Sequence, residues 1–178
     1  MALITEEHPR RGHTVQGPGM ANFVCYIKRG AARVYYTRRG RERTVSFAFD
    51  DQFLVVPQSM INRYGDTIAI EFLEPSEILL IPSMRLRDEL AEVVRDNESA
   101  TLLFMNLALR QYSHRLEEFL AVALTYNARD RYLWAIKQHP RLTQCATLTQ
   151  IASYLGMTKE TLYRLRASLN KNSDTEKQ

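Results

Sequence analysis

The chain has 178 residues, of which 45% are hydrophobic and 25% charged, with a formal net charge of +4. These values are ordinary for a soluble globular protein of one or two domains and exclude a largely disordered chain. No apolar run approaches the roughly 18 residues of a membrane span, and the first residues lack a signal-peptide pattern, so we expect a cytoplasmic protein without a membrane partner.

Metal-binding and catalytic patterns are missing from the sequence. The two cysteines, Cys25 and Cys145, lie far apart, and the four histidines are scattered, so the spacing favours neither zinc nor an iron–sulfur cluster. No Ser-His-Asp set, paired-carboxylate motif or phosphate-binding glycine loop occurs. The sequence therefore predicts no metal site and no enzyme.

Five short apolar and β-branched runs, separated by turn residues, predict strands in the first half of the chain. No helical pattern lies between them, which favours an antiparallel sandwich or barrel over a parallel sheet. Gly30 and Gly40 can adopt positive φ, so we expect the first three runs to join as antiparallel hairpins. The runs are FVCYIK (23–28), AARVYYT (31–37), RTVSFAF (43–49), TIAIEFL (67–73) and EILLI (77–81).

After Pro82 the period becomes helical. Residues 84–96 predict a short helix, and a long helix follows from about 99 to 126. Along the long helix, apolar residues recur in alternating steps of three and four, which is the spacing of a coiled-coil seam. Other apolar residues lie off this seam, so the helix has two apolar faces. The seam consists of Leu102, Met105, Leu109, Tyr112, Leu116, Phe119, Ala123 and Tyr126.

The two apolar faces have two explanations. In the first, one face packs on the β domain of its own chain and the seam meets an identical helix across a two-fold axis. In the second, the helix is buried on both sides within a monomer. We favour the homodimer, because a domain of this size can hardly surround a helix of roughly 25 residues.

The last part of the chain predicts further helices. Asn127 or Thr125 is expected to cap a helix that Pro140 ends. Thr147 and Gln150 form a T-x-x-Q capping box, which predicts a helix from Leu148 to about residue 155.

A glycine turn follows that capped helix. Gly156 suits a helix stop with positive φ, and Thr158 is a second N-cap for a helix from Lys159 to about residue 169. Two short helices joined by a glycine turn predict a helix-turn-helix, and a structural αα-hairpin is the alternative.

The charge of this last part favours a polyanionic partner. Residues 127–178 contain nine Lys and Arg against four Asp and Glu, a net charge of +5, whereas the rest of the chain carries −1. A solvated basic face would give the same composition. In the second helix, Leu162 and Leu165 are expected to face the first helix. The residues expected to face outward, where a DNA major groove could receive them, are Lys159, Glu160, Tyr163, Arg164 and Arg166.

These features together resemble one bacterial family. A small β domain with YIKRGAARVYY (26–36), a long helix and IASYLGMTKETLYRLR (151–166) resemble the Crp/Fnr transcription regulators, in a Bacteroidetes-like form. The resemblance covers residues 22–169. It implies an α+β fold with an N-terminal antiparallel β-roll (a jelly-roll-like double-stranded β-helix), a long dimerisation helix and a C-terminal winged-helix-type helix-turn-helix.

The resemblance also assigns roles within the second helix of that motif. Glu160 would accept a hydrogen bond from a cytosine amino group, and Arg164 would donate to guanine. Lys159 stands where many members have arginine, so it would act as a point charge on a base or phosphate. Further DNA contacts are expected from Thr149, Thr158, Thr161 and Tyr163.

The sequence indicates an effector site only weakly. Family members that bind cyclic AMP use a Gly-Glu pair and an Arg-Ser pair. Here Gln52 lies near the glutamate position, and Arg63 precedes Tyr64 instead of serine. The motif for a cyclic nucleotide phosphate is therefore not matched, and Gln52 and Arg63 are weak candidates for such a cofactor.

We thus predict three parts: an N-terminally short β-roll (1–98) that is cyclic-nucleotide-binding-like and a sensor, a dimerisation helix (99–126), and a DNA-binding helix-turn-helix (127–178) with a disordered tail. The predicted function is a homodimeric, sequence-specific transcription regulator that binds a pseudo-palindromic operator in double-stranded DNA. The resemblance allows RNA polymerase as a further partner. The alternative is a signalling module whose β-roll binds a small effector and whose terminal helices bind protein.

Overall fold

A computed structural model describes residues 4–16, 23–54, 67–82 and 98–175 of the chain. These residues form eight β-strands followed by five α-helices. The strands are β1 (Thr5–Glu7), β2 (Thr14–Gln16), β3 (Phe23–Arg29), β4 (Ala32–Arg38), β5 (Arg41–Ala48), β6 (Gln52–Leu54), β7 (Thr67–Phe72) and β8 (Glu77–Pro82). The helices are α1 (Glu98–Thr125), α2 (Ala128–Gln138), α3 (Leu142–Cys145), α4 (Leu148–Tyr154) and α5 (Lys159–Thr175).

The strands form two four-stranded antiparallel sheets. One has the order β1-β8-β3-β6 and the other β2-β7-β4-β5. Alternate residues of each strand point between the sheets, because successive side chains in a strand face opposite sides. The expected α+β fold with an antiparallel β domain is confirmed. The core between the sheets includes Ile27, Val34, Ile68, Phe72 and Ile78.

All five predicted strands are present, but one predicted hairpin is wrong. β4 and β5 do form a hairpin around Gly40, whereas β3 and β4 lie in different sheets. At the crossing Gly30 has φ +121, and a Cβ built there would lie 2.2 Å from the Ser76 Oγ. The chain crosses from one sheet to the other at Gly30. It passes so close to Ser76 there that any side chain would collide with this serine, which explains the glycine.

Two expectations for the C-terminal part need correction. Residues 127–175 contain helices and no strand, so the β-wing of the predicted winged-helix type is not found in this described part. The last helix, α5, extends to Thr175, so the tail that was predicted to be disordered is helical as far as that residue. No residue that would break a helix, such as proline or glycine, occurs between 159 and 175. The predicted helix over 84–96 lies outside the described residues.

A second buried cluster joins the β domain to the helices. Phe47, Phe49 and Leu73 of the β domain lie in one buried cluster with residues of α2, α3, α4 and α5. Phe47 packs edge-on against Tyr154, with ring centroids 5.2 Å apart. The helices that follow α1 are thus seated on the β domain through a shared apolar core, which fixes the position of α4 and α5 relative to the sheets.

Candidate nucleic-acid interface

The pair of helices α4 and α5 is set by three local signals. Thr147 caps α4 with a complete capping box, in which its Oγ1 accepts from the Gln150 N–H and its own N–H donates to the Gln150 side chain. Gly156 ends the first helix with φ +65. Thr158 Oγ1 then accepts from the Thr161 N–H at 3.1 Å and caps α5. The caps and the glycine stop predicted from the sequence are confirmed.

Small and apolar residues hold the two helices together. Ile151 and Ala152 of α4 are buried, as are Leu155, which directly follows this helix, and Leu162 of α5, which is 0% exposed. The Met157 N–H donates to the Ala152 carbonyl at 3.0 Å and closes the turn. Since this face of α5 is fixed by packing, the opposite face has a defined orientation.

That opposite face carries the side chains predicted to contact DNA. Lys159, Glu160, Tyr163 and Arg164 are exposed, Tyr163 to 67%. The four residues and Leu148 line one shallow concavity. Within the described part of the chain, no ion pair or hydrogen bond involves the side chain of Glu160 or Arg164. Their hydrogen-bonding groups therefore point to solvent. The site combines the carboxylate acceptor of Glu160 with the cationic donors of Lys159 and Arg164.

The threonines at this site differ in their present bonding. Thr149 is exposed and Thr161 is half-buried. The Thr158 hydroxyl serves as the α5 cap and also lies 3.0 Å from the Thr161 hydroxyl. Thr149 is thus the threonine of this set whose hydroxyl makes no hydrogen bond within the described residues.

The seam predicted on the long helix is largely exposed. Leu102, Leu109 and Leu116 are 57%, 66% and 45% exposed, and Ala123 is exposed as well. Phe119 is half-buried and packs against Trp134 and Tyr154 of its own chain. The side chains of Met105 and Tyr112 lie outside the described part.

The helix also exposes leucines that the sequence placed off the seam. Leu103, Leu120 and Leu124 are 62%, 55% and 82% exposed. Hence α1 presents a long apolar surface to solvent, and Phe119 together with the buried Val122 attaches its C-terminal end to the protein.

Of the two effector candidates, one lies in the described part of the chain. Gln52 is exposed on β6, and its side-chain oxygen accepts from the Phe49 N–H at 3.1 Å. Arg63 lies outside the described residues. Among the described residues, no group of His, Cys, Asp and Glu is placed to hold a metal ion, and no helix there could cross a membrane.

Polar contacts between the β domain and the helices were not foreseen from the sequence. Arg141, just before α3, forms ion pairs with Asp50 and Glu74 of the β domain. Partial burial opposes ionisation of Asp50, but the Gly30 N–H and Arg141 outweigh it and lower the pKa of this carboxyl. Nothing in the local sequence around Arg141 signals partners that are so distant along the chain.

A second set of contacts seats α4 on the sheet. The Gln150 side chain donates to Glu71 at 3.2 Å, and Glu71 also pairs with the buried Arg33 at 2.6 Å. The Thr44 N–H donates to the Ser153 Oγ at 3.0 Å. The first helix of the pair is therefore bonded to strands β5 and β7.

The whole arrangement is similar to solved structures of transcription regulators. A transcriptional regulator assigned to the Crp/Fnr family, from Eubacterium rectale, aligns with a TM-score of 0.65 at 15% identity over 95% of this chain and 79% of that chain. The chain has the Crp/Fnr fold.

Two further structures with the Crp/Fnr fold align over nearly the whole chain. FixK2 from Bradyrhizobium japonicum has a TM-score of 0.69 at 19% identity and covers 97% of this chain and 87% of that chain. The c-di-GMP responsive regulator CLP from Xanthomonas campestris has a TM-score of 0.66 at 13% identity and covers 96% and 88%. No protein-family model matches the sequence, and neither does any curated protein.

Proposed function

We propose that this protein is a homodimeric, sequence-specific DNA-binding regulator of transcription and not an enzyme. The observation that carries the proposal is the exposed face of α5, where Glu160 and Arg164 point to solvent from a helix whose other face is buried. Two solved structures with the same fold are described as regulators. With this function the protein belongs in the cytoplasm.

Base reading would follow from the chemistry of the two residues. The Glu160 carboxylate is an acceptor suited to the amino group of cytosine, and the Arg164 guanidinium is a donor pair suited to O6 and N7 of guanine. Lys159 adds a point charge for a base or a phosphate. Thr149, Thr158, Thr161 and Tyr163 would contact phosphates or base edges.

Dimerisation through α1 completes the mechanism. The exposed leucines of α1 would be buried against the same helix of a second copy. Two α5 helices related by a two-fold axis would enter successive major grooves, with half-sites about 34–36 Å apart in a pseudo-palindromic operator. RNA polymerase would be the further partner of a regulator bound in this way.

A signalling module that binds only protein and a small effector is the competing function. The effector candidate Gln52 gives it no support, because the Gln52 side-chain oxygen already accepts a backbone hydrogen bond. Titration calorimetry with cyclic AMP and with c-di-GMP tests this class directly. Heat of binding without any affinity for DNA would favour the signalling module.

The decisive experiment selects binding sites from random DNA with the purified protein. A pseudo-palindromic consensus is expected, and the affinity should fall steeply with salt because phosphate contacts release counterions. Failure to enrich any sequence, together with a flat salt dependence, would contradict the proposal.

Arg164→Ala tests base reading within the selected site. We expect a loss of roughly 1–3 kcal/mol in binding free energy and relaxed selection at one base pair in each half-site. Arg166→Ala is the matched control, because residue 166 is exposed on the same helix but is rotated by about 200° from Arg164. Equal selectivity of the two variants in a repeated selection would remove Arg164 from the proposed site.

A further inference from the structure

The hairpin between β4 and β5 carries an unusual concentration of arginine. Arg38, Arg39, Arg41 and Arg43 occur within six residues and are exposed; we refer to these four as the arginine tip. Arg38 and Arg41 face each other in the ladder, so Arg39 and Gly40 form a two-residue turn, with φ +50 and +73. Positive φ at both turn residues is typical of a type I′ hairpin, which holds the strands in tight register.

The acid within the hairpin does not neutralise Arg39, Arg41 and Arg43. Glu42, the one acidic residue between Arg38 and Arg43, directs its carboxylate to the guanidinium of Arg33, at 2.6 Å. The Arg33 side chain is only 6% exposed, so this acid satisfies a buried cation. Arg39, Arg41 and Arg43 form no ion pair with any described residue. Like charges so close together repel, and a bound polyanion would relieve that repulsion.

The same hairpin is fixed to the helix pair. The Thr44 N–H donates to the Ser153 Oγ at 3.0 Å, and the Ser153 hydroxyl donates to the Glu42 carbonyl at 3.3 Å. β5 is the edge strand of its sheet, so the serine occupies backbone groups that would otherwise face solvent. Ser153 of α4 thus bonds to residues 42 and 44, on either side of Arg43. These hydrogen bonds fix the position of the tip relative to α4.

We propose that the arginine tip binds the sugar–phosphate backbone of the same DNA duplex whose bases α5 contacts. This inference rests on the proposed DNA-binding function and extends the DNA interface from the terminal helices to the β domain. Arginine suits phosphate because its fork of N–H donors can form two parallel bonds to phosphate oxygens. In a dimer the two tips would lie on opposite sides of the two-fold axis and contact the backbone twice.

DNA suits the tip better than an acidic protein does. Protein interfaces usually bury a central group of apolar or aromatic side chains, which supply most of the binding energy. Residues 38–43 contain only arginine, glycine and one glutamate. Phosphate contacts need only positive charge and donors, and they carry no sequence information.

The double variant Arg39→Gln/Arg41→Gln tests the inference on the full chain and the selected duplex. We expect affinity to fall roughly tenfold or more at low salt, and the salt slope to flatten by about 0.9 for each phosphate that the variant no longer neutralises. The base preference should not change. Ethylation of single phosphates at the backbone positions contacted by the tip should weaken DNA binding by the parent protein. The same ethylations should leave DNA binding by the variant unchanged.

Lys28→Gln/Arg29→Gln is the matched control, since it removes the same charge from β3 in the other sheet, where both side chains are exposed. If parent, tip variant and control shared one affinity and one salt slope, the inference would be overturned while the proposed function stood. The inference would also be overturned, and the proposed function would stand, if the tip variant bound DNA normally but lost binding to RNA polymerase. The tip would then bind a protein and not DNA. A parent that bound no duplex would overturn both proposals.

Discussion

At the scale of single residues, the two cysteine thiols are held in their neutral form. Burial, with a smaller effect from Glu7, raises the pKa of Cys25 to about 11. Burial also raises the pKa of Cys145 to about 11, and its thiol donates to the Glu74 carboxylate at 3.3 Å. Since the thiolate is the reactive form, neither cysteine is a nucleophile near neutral pH.

Thiol alkylation should therefore depend on folding. In the folded protein at pH 8 we expect alkylation to be much slower than in urea, where the thiol pKa is about 8.5, and its rate should rise toward pH 11. The thiol pKa is higher in the folded protein than in the unfolded chain, so keeping the proton on the buried thiol contributes to stability. That contribution is complete below about pH 8.5 and is lost as the pH rises toward 11. Mass spectrometry of alkylated peptides assigns each rate. A thiol that reacts equally fast folded and unfolded would contradict its burial.

At the scale of single helices, the two threonines near the start of α4 have separable roles. Thr147 is the N-cap, whereas Thr149 is exposed within the helix. Thr147→Ala should cost about 0.5–2 kcal/mol of unfolding free energy, because the Gln150 N–H loses its acceptor. Thr149→Ala should leave that free energy almost unchanged and weaken DNA binding instead. Urea unfolding and binding to the selected duplex measure the two effects.

The two threonine variants also act as controls for each other. Unchanged stability of Thr147→Ala would show that the capping box contributes little to this helix. Unchanged DNA affinity of Thr149→Ala would remove Thr149 from the proposed interface. A loss of DNA affinity by Thr147→Ala alone, in proportion to its lost stability, would indicate that folding of α4 limits binding.

Helix ends were predictable from the sequence because their causes are local. The Thr147 cap, the Gly156 stop and the Thr158 cap each depend on residues at most five positions apart. Strand pairing depends on residues far apart in the sequence. β3 pairs with β8 and β6 and not with its sequence neighbour β4, so the predicted hairpin of β3 and β4 was wrong. The strands β1, β2 and β6 were missed because three residues are too few to show an alternating pattern.

The contacts that position the candidate site were equally beyond sequence reasoning. Ser153 bonds to Thr44 across 109 residues, and Arg141 pairs with Asp50 across 91. A serine within a short helix and an arginine before another are unremarkable in sequence. Their role appears only when the fold brings the edge strand and the helices together. Such contacts determine where the predicted DNA-binding face lies relative to the β domain.

At the scale of the whole molecule, the long apolar surface of α1 is the feature that a single chain does not explain. Isolated leucines on a surface are common, but a row of them along one helix is typical of an interface. The exposed leucines at 102, 109 and 116 recur every seven residues, which is the repeat of a coiled-coil seam. A second copy of α1 would bury this row and set the separation of the two α5 helices.

Leu109→Glu and Leu116→Glu, made together, should therefore disrupt a dimer without unfolding the subunit. Both leucines are exposed in the chain, so circular dichroism should stay unchanged, while sedimentation should shift from twice the mass of the 20.7 kDa chain to the monomer. Affinity for a full palindromic duplex should fall toward that for one half-site. Leu133→Glu is the control, because Leu133 is 44% exposed on α2, away from the row, and this variant should stay dimeric. A parent that sediments as a monomer while binding the full palindrome with two-site affinity would contradict dimerisation through α1.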